Sequence, residues 1–254
     1  MQYSLCIGAY PGQDALYHLR KIKEHGFGGL ELYAWWQLGD LSAFAREQEK
    51  IGAGIIATCT KEFNLVDPAK REDYLAGLRE TIEACRVLGT RSIITQTGAV
   101  REGVPREEQR DAMVETLKRS AQLLEGTDLV LEVEPLNGLV DHPGHFLQAS
   151  GESAEVIDRV GSDRVKLVFD VYHQQITEGN VIRNAVQYAP QINHYHIADN
   201  PGRKQPGTGE LNYINILRAI RDTGFNGYVG LECGYTTDTD EALLRFKEEI
   251  ASKV

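Results

Sequence analysis

VKLVFD, residues 165–170, is a short β-rich run that closes on an acid. Its companions repeat along the chain. INHYHIA (192–198) and GYVGLE (227–232) follow it, and DLVLEVE (128–134), RSIITQ (91–96), GAGIIATC (52–59), GGLELY (28–33) and SLCIGA (4–9) precede it. Helical periodicity fills the intervals 14–25, 40–51, 67–88, 106–125, 153–160, 180–189, 213–223 and 239–252. Alternating strands and helices imply a parallel sheet with right-handed crossovers. Eight such units in 254 residues predict closure into a single (β/α)₈ TIM barrel spanning 1–254, with a doubly wound open sheet as the alternative.

Composition narrows the function. The chain is 42% hydrophobic and carries 37 acidic against 27 basic residues, a formal charge of −10. That balance argues against nucleic acid or an anionic membrane as partner. Cys6, Cys59, Cys85 and Cys233 are scattered with no CxxC pair, which reads as reduced thiols in a cytoplasmic protein rather than a structural zinc site. The opening MQYSLCIGAYPGQD has neither a basic n-region nor a long apolar run, so no signal peptide is expected. Homo-oligomer formation is left open.

The chemistry gathers at the ends of strands five to eight. Glu134, Asp170 and Glu232 end three of them, and His196 lies just before the end of the fourth. Parallel barrel strands bring their C-terminal ends to one face, so these side chains can surround one point. Singly, each has a duller explanation: a helix cap for Asp170 or Glu134, a turn for Glu232, a core histidine for His196. Together, three carboxylates and an imidazole form a hard ligand set for one divalent ion, Mn²⁺ or Mg²⁺ first, with Zn²⁺ or Co²⁺ possible. The long Gly/Pro-rich segments 135–152 and 199–212 follow strands and belong to the same face. They bring His145 and Asp141, and Arg203, whose planar fork suits an anionic or enolate-like ligand. His173 follows Asp170 by three residues.

LEVEPLNG (131–138), FDVYHQQITEG (169–179), HYHIADNPGRKQPGTGELNY (194–213) and GYVGLECGY (227–235) resemble the xylose-isomerase-like barrel superfamily, and within it the hydroxypyruvate isomerase group of sugar isomerases and epimerases. The resemblance is dense from Leu129 to Tyr235; the N-terminal half shares the barrel rhythm and GGLEL at 28–32. It implies that Glu134, Asp170, His196 and Glu232 hold the metal and that His173 and Arg203, with Asn137, bind a small sugar or hydroxy-keto acid. Glu134 and Glu232 are then the catalytic pair that moves a proton through an enediolate. Two departures stand out. Hydroxypyruvate isomerases commonly carry Gln at the place of His196, and ketose 3-epimerases continue strand five with Arg and a second Glu, where this chain reads Asn137-Gly138-Leu139-Val140. Alternatives are a ketose 3-epimerase, an inosose-type dehydratase using His145 or Asp141 as acid, and a non-catalytic sugar-binding protein. A multi-zinc hydrolase fits poorly with 7 His and the acidic charge.

Two structural expectations complete the reading. Tyr33-Ala34-Trp35-Trp36 is expected as an apolar wall or lid on the C-terminal face, with a packed loop or subunit contact as the alternative. Parity places Glu132 and Lys166 inside the barrel on neighbouring strands, which predicts a buried ion pair beneath the metal.

Overall fold

The computed structural model describes residues 1–254. Eight strands close in sequence order into a barrel: β1 Gln2–Cys6, β2 Leu30–Leu32, β3 Ile55–Cys59, β4 Ser92–Thr95, β5 Val130–Val133, β6 Val165–Asp170, β7 Ile192–Ile197 and β8 Tyr228–Leu231. Every neighbouring pair is parallel, and Leu5 opposite Leu231 closes the ring. The helices are α1 Ala15–His25, α2 Leu41–Ile51, α3 Arg71–Leu88, α4 Arg106–Leu124, α5 Ser150–Val160, α6 Val171–Thr177, α7 Val181–Gln187, α8 Tyr213–Asp222 and α9 Thr239–Arg245. None is long and apolar enough to cross a membrane.

Strand parity divides the side chains into two environments. Leu5, Leu30, Ile93, Leu131, Val133, Leu167, Tyr195 and Val229 join the helices in one continuous apolar core outside the barrel. The lumen is different: Ala57, Ile94 and Val168 form a separate small cluster, and the rest of the lining contains Ser4, Glu31, Ser92, Glu132 and His194, all buried. Several strands are shorter than their sequence runs, β1 and β3 among them. The first strand ends at Cys6, and Ile7–Ala9 is a 3₁₀ turn. An additional helix, α6, follows β6 directly, because Asp170 caps the backbone N–H groups of Tyr172 and His173 at 2.8 and 3.2 Å.

The predicted Glu132–Lys166 pair does not form, although the register is as expected, with Glu132 directly beside Lys166. Lys166 lies near the start of its strand, and its Nζ sits 3.1 Å from Asp163 Oδ1 and 3.3 Å from the Pro190 carbonyl. A long stem that close to the rim carries its charge toward water, which costs less than burying it. Glu132 instead accepts from Ser92 Oγ (2.9 Å) and Asn193 Nδ2 (2.6 Å) and lies 3.4 Å from His194 Nδ1.

The aromatic run after β2 is split by its own contacts. Trp35 is buried, donates to Thr81 Oγ1 on α3 at 3.3 Å and lies under the Lys61 ammonium at 4.9 Å, so it is a packing residue. Trp36 packs edge-on to Trp35 and is 39% exposed, while Tyr33 reaches the site described below. Trp35→Ala is expected to cost about 3–5 kcal/mol in urea unfolding, and Trp36→Ala roughly 0.5 kcal/mol or less. Equal costs would show that Trp36 carries packing not visible in its exposure.

Candidate metal centre and active site

Glu134, Asp170, His196 and Glu232 each offer a ligand atom, and the four atoms lie within 4.8 Å of one another. The strand ladder extends just far enough to place them: the Glu134 N–H donates to the Thr95 carbonyl at 2.9 Å and the Glu232 N–H to that of Ile197 at 3.2 Å. His196 Nδ1 points into the group, 3.0 Å from Glu134 Oε1 and 3.2 Å from Glu232 Oε2. Asp170 is a helix cap and a member of the cluster at once. Its Oδ1 serves α6, whereas its Oδ2 is buried without a hydrogen-bond partner.

These residues fit a divalent cation. Burial pushes the Asp170 carboxyl up to about 6, against the opposing pull of Arg203. Burial also opposes the charge on Glu232, but the neighbouring His196 and Arg203 outweigh it and hold the carboxyl far below the usual range. His196 is pushed well up, since Glu31 and Glu232 overcome the cost of burying its charge. The carboxylates thus draw positive charge to the place that Nδ1 faces, and a cation there would satisfy the orphaned Asp170 Oδ2. Burial, reinforced by Glu31, pushes the Cys6 thiol well up, and burial does the same to Cys59. Burial thus disfavours a thiolate at either cysteine beside the oxygen-rich set.

The long loops supply the surroundings. Asp199 is fully buried and accepts from the backbone N–H groups of Asn200, Gly207 and Leu211 at 3.0, 2.8 and 3.1 Å, which knots the loop after β7. Gly209 is required in that knot, because a Cβ there would stand 2.3 Å from the Asn200 carbonyl oxygen. The knot presents Arg203, whose Nη2 donates to Glu232 Oε2 at 2.7 Å, lies 3.9 Å from Asp170 Oδ2 and whose guanidinium covers the Tyr172 ring. Tyr33 donates to the other Glu232 oxygen at 2.9 Å. A cleft of about 450 Å³ opens here, lined by Cys6, Tyr33, Gln96, Arg203, Glu232 and Cys233 among others. That is room for a small ligand.

His173 is fully buried, and burial holds it neutral by pushing its pKa down to about 4. Its Nδ1 faces two donors of Asn137, the side-chain amide at 2.6 Å and the backbone N–H at 3.4 Å. The proton is thereby assigned to Nε2, which has no partner and points toward Asp170 Oδ2, 3.6 Å away. Asn137 differs from the sequence reading. It is fully buried and spends its amide on His173 and Asp141 and its oxygen on the N–H groups of Val140 and Asp141. A fully buried, saturated amide supports His173 and has no capacity left for a substrate. Sequence reasoning also missed Glu31, whose Oε2 accepts from His196 Nε2 at 2.7 Å. The two come from β2 and β7, across the lumen, a contact that neighbouring-strand parity does not reveal.

His145 and Asp141, the dehydratase acids of the sequence reading, are not among the residues that line the cleft. Burial pushes His145 down to about 4, and Asp141, held by Asn137 and Tyr172 against its partial burial, sits below the usual range.

Comparison with known proteins bears on the family and the fold. The family profile described as "Xylose isomerase-like TIM barrel" matches residues 19–251. A protein named "Hydroxypyruvate isomerase" from Escherichia coli (strain K12) is 35% identical over 176 residues, 69% of this chain and 68% of that one. One named "2-oxo-tetronate isomerase" from Cupriavidus necator is 29% identical over 65% of this chain and 63% of its own. The crystal structure described as an AP endonuclease, family 2, from Brucella melitensis superposes with a TM-score of 0.91 at 23% identity, covering 98% of this chain and 100% of that one; it bears on the fold alone. The chain therefore belongs to the xylose isomerase-like TIM-barrel family, where it groups with the hydroxypyruvate isomerases as an enzyme of the isomerase and epimerase kind.

Proposed function

We propose that this enzyme is a metal-dependent isomerase that interconverts small hydroxy-carbonyl compounds, hydroxypyruvate-like in size and charge, by proton transfer through an enediolate. The observation that carries the reading is the placement of two carboxylates, Glu134 and Glu232, against one His196 nitrogen, with the unpartnered Asp170 Oδ2 completing the set. The names of the two relatives, hydroxypyruvate and 2-oxo-tetronate isomerase, agree in substrate class: hydroxylated 2-oxo acids.

Glu134, Asp170, His196 and Glu232 would hold the ion, Mn²⁺ or Mg²⁺ by the predominance of carboxylate oxygen, with Zn²⁺ or Co²⁺ admitted by the imidazole. The bound ion supplies polarisation of adjacent carbonyl and hydroxyl oxygens, which acidifies the neighbouring C–H. Glu134 and Glu232 then divide the proton work on carbon: one takes the proton from the hydroxyl-bearing carbon and the other delivers a proton to the former carbonyl carbon, while the hydroxyl proton passes to the former carbonyl oxygen. Tyr33 and Arg203 fix the Glu232 carboxylate in place by a hydrogen bond to each oxygen. Arg203 also faces the cleft and offsets negative charge on the substrate. The His173 Nε2–H, aimed by Asn137, is a neutral donor for a substrate oxygen.

The test is turnover of hydroxypyruvate in D₂O with Mn²⁺, followed by NMR. The aldehyde isomer should carry one solvent deuteron on carbon, and a strong chelator should abolish the reaction. Full retention of the original hydrogen would indicate a hydride shift and remove Glu134 and Glu232 from the proton path. Activity intact in chelator, with no metal by elemental analysis, would remove the metal.

A further inference from the structure

Beneath the four-residue cluster the barrel lumen is filled by ionisable side chains. Glu31, 2% exposed, projects across it from β2. Its Oε1 accepts from Ser4 Oγ at 2.5 Å and from His194 Nε2 at 3.1 Å, and its Oε2 from His196 Nε2 at 2.7 Å. The far side of His194 faces Glu132. The lumen is shaped to admit this group: a Cβ on Gly230 would stand 2.1 Å from Glu31 Oε1 and 3.0 Å from His196 Cδ2. The β8 residue beside His196 in the ladder thus has to be glycine.

We propose that Glu31 is a positioning residue for the metal centre. It accepts the proton of His196 Nε2, which fixes the ring orientation and leaves the Nδ1 lone pair directed at the cluster of Glu134, Asp170 and Glu232. A histidine can ligate through only one of its nitrogens while the other donates, and a carboxylate behind it sets which is which and raises its basicity. His196 Nε2 has no hydrogen-bond acceptor other than Glu31. Glutamate is specifically suited, because three donors converge on it: Ser4 Oγ, His194 Nε2 and His196 Nε2. A glutamine would turn one of its two acceptor atoms into a donor and set N–H against N–H or O–H, forcing a ring to flip or change tautomer. The proposal rests on the reading of the cluster as a metal site.

The experiment measures metal binding apart from turnover. Apo protein is titrated with Mn²⁺ in competition with a chelating dye, for wild type, E31Q and E31D. Zn²⁺-loaded protein is examined by long-range ¹H–¹⁵N spectroscopy of histidine. Wild type should bind one ion, with the His196 proton on Nε2. E31Q should bind about 10–100-fold more weakly, the range typical of partners behind a ligating histidine. Its His196 signals should show a changed tautomer or a mixture. E31D, which keeps a carboxylate but draws it back from the His196 ring, should move affinity in the same direction and decides the matter should E31Q not fold. Wild-type affinity within twofold in the variants, with an unaltered His196 spectrum, overturns the proposal while leaving the metal site standing. Wild type that takes up no ion removes the metal site itself.

Discussion

Glu134→Gln is expected to lower kcat by about 10²–10⁴-fold at saturating metal, the range for a group that moves a proton in the transition state. The variant keeps the shape of the side chain and a carbonyl oxygen, and loses the carboxylate. The same change weakens metal binding, so the comparison has meaning only once added Mn²⁺ no longer raises the rate. Glu232→Gln should fall in the same range. It also loses an acceptor, since Tyr33 and Arg203 each donate to one of its oxygens. The double variant should be little worse than either single one, because two residues that form one proton path act as a unit. Arg203→Ala should behave differently, raising KM more than it lowers kcat. A Glu134→Gln enzyme within tenfold of wild type at saturating Mn²⁺ would mean that another group handles the proton.

The parts of this protein that were legible in the sequence are those governed by local period and by strand neighbours. Eight β-rich runs alternating with helical ones led to the barrel, and chain direction then put Glu134, Asp170, His196 and Glu232 on one face. The knot after β7 was visible as a long Gly/Pro-rich loop, although its organiser, Asp199, was not singled out. Its buried carboxylate is defined by backbone N–H groups that only the folded loop supplies. Asp170 invited a choice between cap and ligand that its two oxygens make unnecessary. Asn137 looked like a ligand-binding residue because it sits in the right loop, yet loop closure turns its amide inward. Contacts across the lumen were the least legible. Glu31 and His196 are 165 residues apart on strands that are not neighbours, and no periodicity connects them.

The Glu132 site shows the same limit and carries the second large effect expected of this protein. Glu132→Ala should destabilise the fold by roughly 2–4 kcal/mol, because it removes one of the two carboxylates facing His194 and leaves the Ser92 and Asn193 donors without their acceptor. Lys166→Met should change stability by about 0.5 kcal/mol or less, because the ammonium already reaches Asp163 and Pro190 near the rim. The reason for the difference is His194. Burial disfavours its charge, but Glu31 on one side and Glu132 on the other outweigh that and raise its pKa to about 9. A histidine whose pKa rises on folding stabilises the fold fully below its unfolded value of about 6.5 and loses that contribution as pH climbs through about 9. The difference corresponds to an order of magnitude of about 3 kcal/mol, shared between the two carboxylates. Urea unfolding of wild type should therefore show stability declining as pH rises from 6.5 through about 9, other groups held in common. In Glu132→Gln, which preserves volume and an acceptor for Ser92 or Asn193, that decline should flatten, since Glu31 alone remains to hold the imidazolium. A Lys166→Met loss as large as that of Glu132→Ala would restore the ion pair that strand register alone predicts. A pH slope unchanged in Glu132→Gln would show that Glu31 holds the charge on His194 by itself.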